Sequence, residues 1–279
     1  MAGVDVLKLR LGRVVGLGVV GLLVATGALV GCGKKDPRMN EFLDAQERYD
    51  LGRQLIAEGE LSPAIKVLSR VDSYDSPNRK EIEPLLRLAL ADATFYKGSS
   101  LAWIDARSLY QDFVTLYGDH DLAPYAQLQT GICVLLQIVH PSRDQSETFQ
   151  AIADFRQVET RWPSSLYAGA ARTMRIKAES NLAEHDLLVG RFYEKRGAHI
   201  AASGRFRRAL TEYPNYYDLE TVYFLLGQSL LPGNTEEGKI YLSKVLADFP
   251  SSRYAGQIRK MLSDASERKS RTPDAAAAP

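Results

Sequence analysis

Cysteine is almost absent from this chain, and a disulfide framework is absent with it. Cys32 and Cys133 are the only two in 279 residues, so stability must come from packing rather than cross-links. A charge excess of one sign is missing as well: 35 Lys and Arg stand against 34 Asp and Glu. Near-neutral balance, with no basic and aromatic interleaving, argues against a nucleic-acid-binding face, and no nucleic acid partner is expected. The four histidines, His120, His140, His185 and His199, form neither a ligand pair at metal spacing nor an HExxH. A Gly-rich phosphate loop and a nucleophile elbow are also lacking. No metal, cofactor or catalytic centre is therefore expected, and the chain reads as a non-enzyme. Beyond residue 40 no segment alternates apolar and polar in the manner of a strand.

Three groups of polar residues invite chemistry, and each has a plainer reading. Cys133 and His140 are seven apart on one expected helix, but reactivity needs an electropositive, accessible site, and a buried structural thiol is far commoner. Glu184-His185-Asp186 carries acid–base side chains; on an amphipathic helix it reads as the solvated face. His120 lies between Asp119 and Asp121 at a helix start, where acids serve as caps.

The amino terminus has what the rest lacks, a long hydrophobic run. Lys8, Arg10 and Arg13 precede an apolar stretch of 17 residues from Val14 to Val30, followed by Gly31-Cys32. A basic region, an apolar core and small residues before a cleavage point make a secretory signal. The run is at the lower end of membrane-spanning length, so a signal-anchor helix is the competing reading. Leu29-Val30-Gly31-Cys32 resembles the bacterial lipobox, in which the cysteine is acylated and becomes the first residue. Residues 1–31 are thus expected to be a lipoprotein signal peptide and 32–40 a lipidated tether. The mature chain then has 248 residues and a net charge of −1. One acyl chain binds a membrane only reversibly; the lipobox resemblance implies three. Gly33 stands where an Asp would favour inner-membrane retention, so the expected place is the periplasmic face of the outer membrane.

The remainder reads as helix pairs. The clearest is Leu182–Pro214, where Ala202, Phe206, Ala209 and Tyr213 form one apolar stripe, Gly197 marks the turn and Pro214 the end. Gly190 and Ala202 are small enough for close approach, with Tyr193 and Phe206 filling the space around them. This order is the spacing of a tetratricopeptide repeat of about 34 residues, a unit that must stack on neighbours to bury its apolar face. Neighbours are legible. The other pairs are Glu41–Glu58 with Ser62–Val71, Lys80–Lys97 with Ala102–Leu116, Pro124–Val139 with Gln145–Arg161, and Leu219–Leu230 with Glu236–Ala247. Small residues recur at 64, 106, 151, 202 and 238, and Trp162-Pro163-Ser164-Ser165-Leu166-Tyr167-Ala168 returns as Phe249-Pro250-Ser251-Ser252-Arg253-Tyr254-Ala255. The expectation is an all-α superhelix of about five helix pairs, with a capping helix at Ser252–Asp264 and a disordered tail over 266–279. Arg205, Arg207, Arg208, Lys195 and Arg196 are its densest basic group, either a solvated face or a docking patch for an acidic surface.

These residues resemble a known family, the BamD (YfiO/ComL) assembly-factor lipoproteins of the outer membrane. The resemblance rests on Arg143-Asp144-Gln145, Ala151 with Phe155, Trp162 to Tyr167, and Leu182-Ala183, Val189-Gly190, Phe192-Tyr193, Arg196-Gly197, Ala202, Arg205 and Tyr213-Pro214. It implies a non-catalytic scaffold in the machinery that folds β-barrels into the outer membrane. Repeats over 41–140 would bind unfolded barrel proteins. Those over 141–265 would hold a BamA-type POTRA-barrel protein, beside other lipoproteins of the complex, with Arg196 and Arg205 facing that partner. A repeat lipoprotein serving pilus assembly or envelope division is the alternative. If Cys32 is the acylated residue, Cys32→Ala should leave the precursor uncleaved or release the chain from membranes; unchanged processing and attachment in a membrane-fractionation immunoblot would reject the anchor.

Overall fold

A computed structural model describes residues 43–70 and 79–271, which form eleven α-helices: α1 (Ala45–Glu58), α2 (Leu61–Leu68), α3 (Arg79–Tyr96), α4 (Ser100–Leu116), α5 (Ala123–Leu135), α6 (Ser146–Arg161), α7 (Ala168–Glu194), α8 (His199–Glu212), α9 (Leu219–Leu230), α10 (Thr235–Asp248) and α11 (Ala255–Arg271). Each helix packs on the next in the chain, and α1 also reaches α3 as α5 reaches α7. Five pairs and a closing helix therefore stack in sequence, the expected all-α repeat solenoid. The signal segment, Cys32 and the tether lie outside the described residues.

Local chemistry places the ends. Asp44 and Glu47 make a capping box at α1, the Glu47 N–H donating to the Asp44 carboxylate at 2.8 Å and the Asp44 N–H to Glu47 at 3.0 Å. Ser99, Asp218 and Asn234 accept backbone N–H groups at the starts of α4, α9 and α10. Four starts and ends differ from the sequence reading. Helix α2 starts at Leu61 rather than Ser62, with Pro63 inside its first turn, where its missing N–H costs nothing because that group would be unpaired anyway. Helix α5 stops at Leu135, so His140 stands beyond it and shares no helix face with Cys133. In the two Pro-Ser-Ser segments the second Ser accepts the N–H two residues on, from Tyr167 at 3.3 Å and Tyr254 at 3.0 Å. These are side-chain turns that precede the helix, and α11 accordingly starts at Ala255 rather than at Ser252. Finally α11 runs to Arg271, past the point where the sequence reading begins its tail; residues 272–279 lie outside the described residues.

The core is a chain of clusters rather than one centre. Phe113, Tyr110, Ala126 and Cys133 join α3, α4 and α5; Phe155, Val158 and Met174 join α5, α6 and α7; Leu182, Phe206 and Leu226 join α7, α8 and α9; Leu242, Val245 and Ile258 join α9, α10 and α11. Helices α5, α7 and α9 each contribute to two clusters, which is how neighbouring pairs become one body. Aromatic contacts reinforce the joints. Tyr167 lies 5.5 Å from Tyr125, and Tyr254 stacks 4.1 Å over Phe224.

In four of the five pairs a glycine on the first helix meets a large side chain of the second. A methyl group added at Gly190 would stand 2.4 Å from the Phe206 ring; Gly131 meets Phe155 and Gly52 meets Leu68 in the same way. Phe206 is fully buried and has nowhere to move. A different device joins α3, α4 and α5. The Asp92 carboxylate accepts from the hydroxyls of Tyr110 at 2.7 Å and Tyr125 at 2.8 Å. Burial, only partly offset by these two hydrogen bonds and by Arg53, pushes its carboxyl up to about 6.

Gly190→Ala should destabilise the fold by about 1–3 kcal/mol through overpacking. Gly204→Ala, in α8 with nothing near the added methyl, should stabilise it by about 0.5–1 kcal/mol; thermal unfolding followed by circular dichroism reads both. Because the folded carboxyl of Asp92 holds its proton to a higher pH than the unfolded one, its contribution to stability falls as pH rises from about 4 to about 6. Asp92→Asn should remove that slope, so the melting temperature of the parent minus that of the variant should decline over this range.

Candidate functional site

The candidate site is the hairpin of α7 and α8, and its geometry starts at the turn. Gly197 takes a φ of 72°, in the left-handed region. Ala198 N–H reaches the Tyr193 carbonyl at 3.1 Å and Gly197 N–H that of Glu194 at 3.0 Å, closing the helix end. The chain can therefore reverse within four residues. Arg196, just before the turn, is exposed, and its guanidinium lies 3.8 Å over the centre of the Phe192 ring. Phe192 is 49% exposed. Together they form an apolar, cationic tip held by a cation–π contact.

Arg205 has a different setting. Its Nη1 donates at 3.2 Å to Oδ1 of Asp186, a residue with no exposed surface. Arg208 binds the same carboxylate through Nε and Nη2, both at 2.7 Å. Arg207 points to another element and pairs with Glu237 of α10. The five-residue basic group thus divides. Arg205 and Arg208 converge on Asp186, Arg207 joins the next repeat, and Arg196 stands at the tip. Asp186 and Arg196 are ten residues apart on α7 and just beyond it, roughly 15 Å along the axis. Arg196 and Arg205 are therefore two points on one hairpin rather than one spot.

The pattern of one buried acid between two arginines recurs next door. Glu179 accepts from Arg156 at 3.1 Å and Arg175 at 2.7 Å, and Glu159 pairs with Arg172 and Arg175. Burial first, and Asp186 second, raise the phenol of Tyr213 above its usual range. On the side toward α9, a cleft of about 180 Å³ is lined by Leu188, Arg191, Tyr217 and Thr221, with Tyr217 donating to Glu184.

Asp186 is the residue that the sequence reading misplaced. Glu184-His185-Asp186 is not a solvated face: Asp186 is buried, and the Nδ1–H of His185 donates to the Pro141 carbonyl at 2.6 Å. A signal existed. Leu182, Asp186, Gly190 and Tyr193 repeat at four, four and three, which puts an acid on the core-facing stripe, where it requires a charged partner. The other polar groups have structural roles. Burial pushes the Cys133 thiol up to about 12, well away from a reactive thiolate. His120, rather than its flanking acids, accepts the Leu122 N–H at 3.0 Å before α5. Gln145 donates to two loop carbonyls and accepts from Asn181 of α7, tying down the segment that holds Arg143-Asp144-Gln145. Among the described residues no three His, Cys, Asp or Glu side chains are grouped to hold a metal ion, and no helix is long and apolar enough to cross a membrane.

Comparison with known proteins places this architecture. A tetratricopeptide-repeat model matches residues 221–252, the α9–α10 pair. An outer membrane protein assembly factor BamD from Caulobacter vibrioides is 28% identical over 253 residues, covering 88% of this chain and 80% of that protein. The protein of the same name from Rickettsia prowazekii is 25% identical over 234 residues, covering 84% and 91%. One from Pasteurella multocida is 28% identical over 199 residues, covering 67% and 74%. The model of the YfiO family, described as outer membrane lipoprotein, matches residues 43–229. That span contains most of the chain, with the α7–α8 hairpin, Asp186 and both candidate arginines inside it, and the chain belongs to the YfiO family of outer membrane lipoproteins.

Proposed function

We propose that this chain is an assembly factor for outer-membrane proteins, a lipid-anchored scaffold that works by binding and performs no catalysis. The observation that carries the reading is the stack of repeats matched to the YfiO family from α1 through α9, with relatives named as BamD over most of its length. A solenoid of this kind offers extended surface for partners. Cys32 anchors it to the periplasmic face of the outer membrane through acyl chains. The repeats over 41–140 receive unfolded β-barrel proteins, and those over 141–265 hold the POTRA region of a BamA-type barrel protein, beside other lipoproteins of the complex.

Arg196 and Arg205 are the proposed contacts for that partner. The tip at Arg196 combines a guanidinium with the exposed Phe192 ring. This pairing of cation and aromatic is enriched where proteins bind proteins. Arg205 adds a half-exposed positive charge further along α8. A partner presenting carboxylates opposite both would gain orientation and association rate as well as affinity.

Affinity purification from envelope membranes tests the function. A POTRA-containing barrel protein should be recovered with the chain; recovery of pilus or Tol-type partners alone would overturn it in favour of another repeat lipoprotein. Arg196→Glu reverses an exposed charge outside the core. It should raise the Kd for the POTRA region by about fivefold or more, the effect of losing about 1 kcal/mol, with helicity unchanged.

A further inference from the structure

Asp186 has no exposed surface, a position in which a carboxylate is tolerated only if its charge is matched. It is matched twice, and unequally. Arg208 engages it through two N–H groups at 2.7 Å, one to each oxygen, in the bidentate fit of guanidinium to carboxylate. Arg205 adds a single, longer bond of 3.2 Å to Oδ1. The two arginines are three residues apart on α8, a spacing at which like charges on a helix repel. The acid between them offsets that repulsion and leaves one positive charge in surplus. The surplus reaches solvent, because the side chains of Arg205 and Arg208 are 35% and 42% exposed.

We propose that Asp186 is a positioning residue, which by binding Arg208 fully and Arg205 with one bond holds Arg205 ready to receive a carboxylate from an acidic protein surface. The proposal rests on the docking function above and adds to it a division of labour. Arg208 neutralises the buried acid, and Arg205 keeps donors for the partner. A guanidinium already held in place loses less side-chain freedom on binding than one that is free. A partner carboxylate fits this face because the surplus charge is a guanidinium fork.

The test uses the full-length lipidated chain in detergent and the purified POTRA region of the BamA-type barrel protein from the same cell, with Kd measured at several salt concentrations. Arg205→Ala should raise Kd by about tenfold, and Asp186→Asn should do the same with helicity retained. If Asp186 acts through Arg205, the double variant should bind no more weakly than either single one. Asp186→Glu, which keeps the charge, should recover part of the loss, and the dependence of Kd on salt should flatten in Arg205→Ala, which removes the surplus charge. A double variant weakened by the product of the single effects, about a hundredfold, would overturn the proposal, since Asp186 would then act independently of Arg205. Should Asp186→Asn fail to fold, Arg208→Gln decides. It leaves Asp186 to neutralise Arg205 alone, so Kd should rise, and an unchanged Kd would refute the assignment. A parent chain that does not bind the POTRA region would sink the docking function and this inference together; a parent that binds, with Asp186→Asn binding equally well, would sink this inference alone.

Discussion

Close approach of two helices at a residue without a side chain is the constraint on which the rest of this structure depends. Where α7 meets α8, Phe206 lies against the backbone at Gly190, and the equivalent contacts at Gly131 with Phe155 and Gly52 with Leu68 repeat the arrangement. An aromatic ring that enters the space a Cβ would have filled brings the two helix axes together and excludes water from the seam. The aligned small residues on the opposite helices, Ala64, Ala106, Ala151 and Ala202, are all fully buried. Such a pair is still only half buried. Its outer face is covered by the next pair, so the solenoid extends through clusters that share helices α5, α7 and α9.

Close packing of this kind has an electrostatic consequence. Helices that approach so tightly leave little room for water, and an acid on an inward face must find its counter-charge within the protein. Asp186, Glu179 and Glu159 each do so with two arginines. Arg175 is shared by Glu159 and Glu179, so five arginines serve these three acids and give more cation than the acids need. The surplus emerges at the surface of α6, α7 and α8, so one arrangement satisfies the buried charge and also leaves a basic face. Asp92 is the contrasting case, satisfied by two neutral tyrosine hydroxyls instead of a guanidinium. Its carboxyl is consequently pushed up to about 6.

Membership of the YfiO family and this surface bear on function at different scales. The family match spans α1 to α9 and concerns the architecture as a whole. The proposed docking role depends on a few side chains, and there the hairpin separates two kinds of contact. At the tip Arg196 over Phe192 is exposed and free of ion pairs among the described residues, suited to a partner's apolar and acidic groups. Arg205 stands deeper, already committed in part to its own protein. Recognition that draws on both would read the spacing of charges along the hairpin as well as their sign.

Much of the fold was legible in the residues alone. Five helix pairs and a closing helix follow from apolar stripes, small residues at matched positions and the recurrent Pro-Ser-Ser turn, because helix periodicity, capping and glycine conformation are local properties. The turn at Gly197 and the small residue at Gly190 were readable for that reason. Helix ends were less so: His140 falls beyond α5 and α11 outruns its expected stop, since ends are settled by what the last turn packs on. The basic group of α8 was visible as a group, but its division was not. Which of Arg196, Arg205, Arg207 and Arg208 is exposed, shared or bound depends on the position of Asp186 on α7 and Glu237 on α10, nineteen or more residues away from Arg205 and thirty from Arg207. The local pattern along the chain thus determined which segments are helices and how they pair. Only the tertiary structure decided which charges meet, because a charge's partner is chosen by distance in space and by the exclusion of water.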